Sequence, residues 1–232
     1  MGDIFFCDLF VWHRSIVFTG AGMATILGNT QVFATAIISF FVFKEKLTLR
    51  YFISAISAMM GVVLLVGVLS DEVVFDSNYI KGIAFGLATG IFYANYLVTL
   101  KWTGFKEPIP DVILFMAWMS LSSAFWFTIA ARIEQVRLLP PDLPTWIYLV
   151  TLGIVAQALG WWLIANSLHR ITASKAGLIL LLQPTLAMVW GVIMFAEEFT
   201  FSQLIGAIIT LAAIYFGGLK PDRVSNKKEA TA

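Results

Sequence analysis

Apolar residues come along this chain in long runs separated by short polar breaks, at 4–18, 21–43, 51–69, 79–100, 112–131, 145–168, 171–196 and 201–219. A run of about 20 apolar residues, rising 1.5 Å per residue in a helix, matches a hydrocarbon core of ~30 Å. Within such a run every backbone amide must find its partner inside the segment, which an α-helix achieves and an open strand does not. The ~10-residue alternating segments of a closed barrel are absent from the sequence. The pattern predicts an all-α polytopic membrane protein with about eight transmembrane helices. The first run is the weakest, because it is short and carries Asp8, His13 and Arg14. Each central charge costs about 2.5–3.5 kcal/mol on an insertion scale, so this segment needs neighbours or a wet cavity.

The last two runs have an earlier copy. Moved back by 152 positions without gaps, the end of the chain lies on 20–67. Gln183 then falls on Gln31, Phe195 on Phe43, Glu197 on Glu45 and Thr200 on Thr48. Aliphatic identities such as Ile205 on Ile53 come cheaply in apolar chains. The glutamine and the Phe-x-Glu-x-apolar-Thr corner carry the case. Internal repeats in a polytopic chain point to a transporter built from two related halves.

Thr19-Gly20-Ala21-Gly22, Phe43-Lys44-Glu45-Lys46-Leu47-Thr48 and Gly61-Val62-Val63-Leu64-Leu65-Val66-Gly67, with Gln183-Pro184-Thr185-Leu186-Ala187 and Ala196-Glu197-Glu198-Phe199-Thr200 in the second copy, resemble the ends of the two EamA-type repeats of the drug/metabolite transporter superfamily. The resemblance covers nearly the whole chain and implies a plan of five plus five helices. Counted against that plan, residues 1–70 form an incomplete first repeat of three helices, 79–219 a second repeat of five, and 220–232 a polar tail. The first two helices of the plan are missing, and a missing N-terminus is the expected reason. The resemblance further implies a secondary transporter that moves an amino acid, a drug or a similar metabolite, by export, through alternating access. The alternative is a truncated or non-transporting membrane assembly protein.

Composition narrows this reading. The chain is 59% apolar and 12% charged over 232 residues, against roughly 25% charged in a soluble domain. A single cysteine, Cys7, excludes an intramolecular disulfide framework. The net charge of +1 gives no case for nucleic acid. Expected partners are the lipid bilayer, a small-molecule substrate and, as an option, a second copy in a homodimer. Charge also sets orientation. The connections 44–50, 101–106 and 169–175, with the tail, hold 11 of the 15 Lys and Arg residues. The positive-inside bias places them, and the C-terminus, in the cytoplasm. The expected location is the cell membrane, as a multi-pass protein of a bacterial inner membrane. Corresponding turns, Lys44-Glu45-Lys46 and Ala196-Glu197-Glu198, then face opposite sides, so the repeats are inverted.

Candidate functional residues are the polar groups at bilayer depth. Gln31 and Gln183 are repeat-equivalent and mid-helix, and each must find a partner or water. They either line a cavity and bind substrate or bond helix to helix. Pro184 removes a backbone hydrogen bond and kinks its helix, a gating feature or a static bend. Arg14 either binds an anionic group or snorkels to the interface. Asn166 is its repeat partner. Tyr93, Asn95, Gln157 and Trp161 add polar and aromatic groups on other helices. Asp8 and Arg14, six residues apart, point about 120° away from each other and do not pair within one helix. Gly82, Gly86 and Gly90 read as a packing face, as do Ala24, Gly28, Gln31, Thr35 and Ser39. The sequence holds no HExxH, GxSxG or Walker loop, so an enzyme is not expected. Two histidines leave little for a metal site, and no cofactor is expected.

Overall fold

A computed structural model describes residues 1–67, 76–103, 112–136, 138–168, 170–196 and 200–218. The acidic pair Glu197-Glu198, most of the 70–78 connection, residues 104–111, Arg137 and the 220–232 tail lie outside the described residues. The elements are α1 (Gly2–Asn29), α2 (Gln31–Phe43), α3 (Leu49–Val66), α4 (Ser77–Thr103), α5 (Val112–Ile133), α6 (Leu143–Leu152), a π-helical segment (Gly153–Gly160), α7 (Trp161–Leu168), α8 (Ala173–Leu180), α9 (Leu182–Phe195) and α10 (Phe201–Gly218). They join into seven helical stretches long and apolar enough to cross a membrane, the first running from Gly2 to Phe43. Large apolar side chains cover the outside, among them Phe41, Trp118, Ile147 and Ile193. Contiguous apolar surface on that scale needs a nonpolar solvent.

The first stretch, 42 residues long, is not one straight helix. Gly20 leaves helical geometry with φ 80° and ψ 161°, a conformation costly for any residue with a Cβ. Ser15 and Leu27 both close on Gly86 of α4. On a straight helix those two residues would stand about 18 Å apart. The chain therefore doubles back at Gly20. Residues before it run antiparallel to α4, with Phe5 against Tyr96 and Thr19 beside Gly82. Divided at Gly20, the seven stretches among the described residues correspond to the eight apolar runs of the sequence.

The glycine face of α4 packs as read. A Cβ on Gly86 would meet the Leu27 Cβ at 2.6 Å, and one on Gly90 would meet the backbone nitrogen of Gln31 at 3.1 Å. Ser15 Oγ donates to the Gly82 carbonyl across the same seam at 2.9 Å.

Features recur at the 152-residue spacing. Lys44 and Ala196, 152 apart, both adopt left-handed backbone, at φ 55° and φ 51°. Their N–H groups close back on the Ser39 and Gly191 carbonyls, again 152 apart. Neither is glycine, so the strain of about 1–2 kcal/mol is carried twice to make the same corner. Helix breaks fall within one residue of that spacing, 151 apart. Thr30 separates α1 from α2 and Leu181 separates α8 from α9, each donating its N–H to the carbonyl three residues back. In the first copy the Thr30 hydroxyl also donates to that carbonyl, at 2.5 Å. In the second, Pro184 has no backbone N–H to donate. The break lies three residues before Pro184, and its counterpart at Thr30 forms without a proline.

Helices α3 and α10 pack antiparallel. Gly217 closes on Ser54, Thr210 on Gly61, and Gly206 on Gly61 and Leu65. At the centre Thr210 Oγ1 donates to the Ala58 carbonyl at 3.4 Å, a pair 152 positions apart.

Three boundaries differ from the sequence pattern. Lys101, expected in a connection, lies in the last turn of α4 and is 5% exposed. It has an anionic partner there, and a buried pair tolerates what a lone charge does not. Pro144, expected in an extended Pro-rich element, lies in the first turn of α6, where its missing N–H is not needed. Asp142 caps that helix, accepting from the Thr145 N–H at 2.8 Å. The 145–168 run is interrupted by the π-helical segment, and no residue of its apolar window is buried.

Candidate functional site

The two equivalent glutamines meet different surroundings. Gln31, at the start of α2, is fully buried. Its Nε2 donates to the Gly177 carbonyl of α8 at 2.9 Å, and its Oε1 accepts from Thr35 Oγ1 at 3.0 Å. Both ends of the amide are spent on holding α2 against α8. Gln183, at the start of α9, is exposed and donates to the Tyr93 hydroxyl oxygen at 3.5 Å. Pro184 and Thr185 behind it are buried, and the Thr185 hydroxyl has no partner among the described residues.

Tyr93 leads into an aromatic cluster built by three helices. Trp161 of α7 meets Tyr96 edge-on at 4.9 Å, Tyr93 at 6.1 Å and Phe5 of α1 at 5.7 Å. Phe5 and Tyr96 close it at 5.2 Å. Edge-to-face rings at these separations pack more favourably than their buried area alone implies. Trp161 is thus held inside the bundle by Tyr93, Tyr96 and Phe5, whereas an interfacial anchor would face the lipid headgroups. Of the sequence candidates the fold brings Gln183, Tyr93 and Trp161 together.

The others stand apart. Arg14 forms an ion pair with Glu134, just beyond α5, and lies over the Phe10 ring at 5.1 Å. Its charge is already matched. Asn166 and Asn95 each donate back to their own helices, to Trp162 at 3.0 Å and Ile91 at 2.9 Å. Gln157 is exposed within the π-helical segment. Such segments recur at functional sites, because the wider turn re-aims side chains. An open groove of about 610 Å³ between α3 and α10, lined by Arg50, Ile53, Ser54 and Phe216 among others, contains none of these residues.

Two charged features were not singled out from sequence as sites. Glu45, in the corner after α2, accepts from the Ala173 N–H at 2.8 Å, the Ser174 N–H at 3.1 Å and the Ser174 hydroxyl at 2.6 Å. It therefore caps the N-terminus of α8, where the helix dipole favours an anion. Lys101 Nζ stands 3.9 Å from Glu45, over the Phe43 ring at 5.6 Å, and donates to the Ile171 carbonyl. The second feature is Asp8, buried in α1 with Oδ1 unpartnered. Depth and charge marked Asp8 in the sequence; its lack of a partner was not visible there. Among the described residues no group of three His, Cys, Asp or Glu side chains could hold a metal.

A multi-pass α-helical membrane protein is what this fold defines. The EamA-like transporter family matches residues 80–218, more than half of the chain. The chain belongs to that family. Among curated relatives, a "Probable amino-acid metabolite efflux pump" of Salmonella typhimurium is 25% identical over 84% of this chain and 66% of its own length. A protein of the same description from Escherichia coli is 23% identical over 84% of this chain and 66% of its own length. An "Uncharacterized transporter" of Archaeoglobus fulgidus is 28% identical over 57% of this chain and 46% of its own length. The chain thus spans just under two thirds, or less, of the curated relatives it matches. A crystal structure superposes with a TM-score of 0.79 at 18% identity, over 93% of this chain and 73% of the other, and shows the fold alone.

Proposed function

We propose that this chain is a secondary transporter that exports a small amino-acid-like metabolite from a bacterial cell by alternating access between two inverted halves. The observation that carries it is the packing of α3 on α10. These helices occupy equivalent places 152 residues apart, run antiparallel, and meet at the equivalent pair Ala58 and Thr210. Contacts repeat about that point, Ser54 with Gly217 and Leu65 with Gly206. Antiparallel equivalents about one centre are what an axis in the membrane plane produces, and rocking about such an axis exposes a central site to each side in turn. The left-handed corners at Lys44 and Ala196 support the same relation. The relatives described as amino-acid metabolite efflux pumps support the cargo class and the direction.

In this reading Gln183, Tyr93 and Trp161 face the cargo, Pro184 loosens α9 for movement, and Gln31 and Arg14 hold the frame. Both ends of the chain lie in the cytoplasm. The test is counterflow of radiolabelled L-amino acids into proteoliposomes. Uptake above empty vesicles, reduced by Gln183→Leu and Trp161→Ala, is expected. No counterflow of any amino acid would refute the reading and favour a non-transporting assembly role. A cysteine at Ser77, the first residue of α4, is expected to label from outside intact cells; protection there would refute the orientation.

A further inference from the structure

Among the described residues, the Glu45 and Asp8 carboxylates are covered in different ways. Glu45 is surrounded by donors and a lysine, as described above. Asp8 is 6% exposed and its Oδ1 has no hydrogen-bond partner among the described residues. It stands about 9 Å along α1 from the helix start, within the bilayer-spanning part. An ionisable group kept at that depth without a partner is costly, and such groups mark ligand and ion pathways.

The cations of neighbouring elements are placed elsewhere. On α1 itself Arg14 pairs with Glu134, and His13 bonds the Leu9 carbonyl. On α4, Lys81 lies beyond the end where Thr19 meets Gly82, and Lys101 stands with Glu45 at the other end. Helix α5 carries only Arg132, in its last turn. Helices α7 and α9 carry no titratable side chain. The aromatic cluster begins one helical turn from Asp8. Phe5, one turn earlier on the same helical face, packs on Tyr96 and Trp161. A carboxylate beside ring faces is the combination that holds an organic ammonium group, through charge and cation–π attraction together.

We propose that Asp8 is the counter-charge for the protonated amine of the cargo, with Tyr93, Tyr96 and Trp161 as its aromatic surround and the Gln183 amide as the contact for the cargo's polar end. This rests on the transport reading and names its substrate class, a primary amine. In the arrangement described here the carboxylate is covered, so an amine reaches it only when the helices over Asp8 part.

The experiment titrates the purified chain in detergent with phenethylamine, L-phenylalanine and 3-phenylpropionate by calorimetry. Asp8→Asn is expected to weaken phenethylamine and L-phenylalanine roughly 10- to 100-fold, the loss of one charged hydrogen bond, and to leave 3-phenylpropionate unchanged. The Asn variant is expected to melt no lower than the parent, because it loses no protein partner. Undetectable amine binding by the parent, equal amine affinity in a folded Asp8→Asn variant, or a variant that melts lower through loss of a structural role would each overturn the assignment. Amine binding competed by sodium but not potassium would make Asp8 an inorganic-cation site and overturn it as well. Counterflow that survives Asp8→Asn sinks this assignment and leaves the transport reading standing. Absence of counterflow by the parent sinks the transport reading, while the binding isotherms still judge Asp8.

Discussion

Replacing Glu45 by alanine tests whether the corner after α2 is tied to α8 by charge. The side chains of Glu45 and Lys101 are both largely covered, so water screens the pair poorly. The substitution removes the anion facing Lys101 and strips the first turn of α8 of acceptors for two N–H groups and the Ser174 hydroxyl. Removing one partner of a buried pair costs about 3–5 kcal/mol, since the remaining charge stays buried. Glu45→Ala is therefore expected to lose about that much stability. Lys101→Met should cost less, about 1–3 kcal/mol, because Glu45 keeps its three donors at the helix N-terminus while only the charged contact goes. The two changes share a partner, so their effects should not add. A coupling of at least ~1 kcal/mol is expected in the double variant. The assay is unfolding in mixed micelles by SDS titration, followed by far-ultraviolet circular dichroism. A Glu45→Ala loss below ~1 kcal/mol, or additivity within ~0.5 kcal/mol, would refute the argument and return both charges to a solvated role.

Gln31→Leu should destabilise the chain by about 1–2 kcal/mol in the same titration, because it orphans the Gly177 carbonyl and the Thr35 hydroxyl, whereas Gln183→Leu should leave stability within ~0.5 kcal/mol and weaken cargo binding a few-fold to tenfold. Equal stability losses would show that the equivalent residues do the same job. Gly206→Ala should cost about 1–3 kcal/mol, since its Cβ would stand 2.6 Å from the Gly61 carbonyl oxygen and the Leu65 nitrogen, backbone atoms that cannot rotate away; a neutral effect would mean that α3 and α10 sit further apart. Hydrogen bonds from the Thr145 N–H and hydroxyl hold the Asp142 carboxyl below its ordinary 3.8. Its folded value is lower than its unfolded one, so its contribution is complete above about pH 4 and is lost as pH falls through the folded value. Hydrogen exchange at the start of α6 should accelerate on acidification below pH 4 in the parent and not in Asp142→Asn; identical pH profiles would refute the cap.

The sequence alone determined the membrane, the apolar helical runs and the family. A bilayer imposes one local rule, apolar length, and that rule is written residue by residue in the runs from 4–18 to 201–219. The reversal at Gly20 was legible for the same reason, because a polar and flexible pair, Thr19-Gly20, interrupts an apolar stretch. The 152-residue spacing was legible too, yet the left-handed backbone at Lys44 and Ala196 was not. Neither residue is the glycine that announces such geometry, and the conformation is imposed by how each corner docks. The same limit governs the polar residues. Gln31 and Gln183 are one letter in equivalent places, but only packing decides that one is enclosed by α8 and the other opens toward Tyr93. Lys101 looked like a loop cation because its anion, Glu45, lies 56 residues away in the chain. Asp8 was visible as a buried charge, while its lack of a partner depends on where α4 and α5 put their cations. Hydrophobic length is a property of neighbours in sequence. Polar satisfaction belongs to neighbours in space, which only the tertiary structure decides.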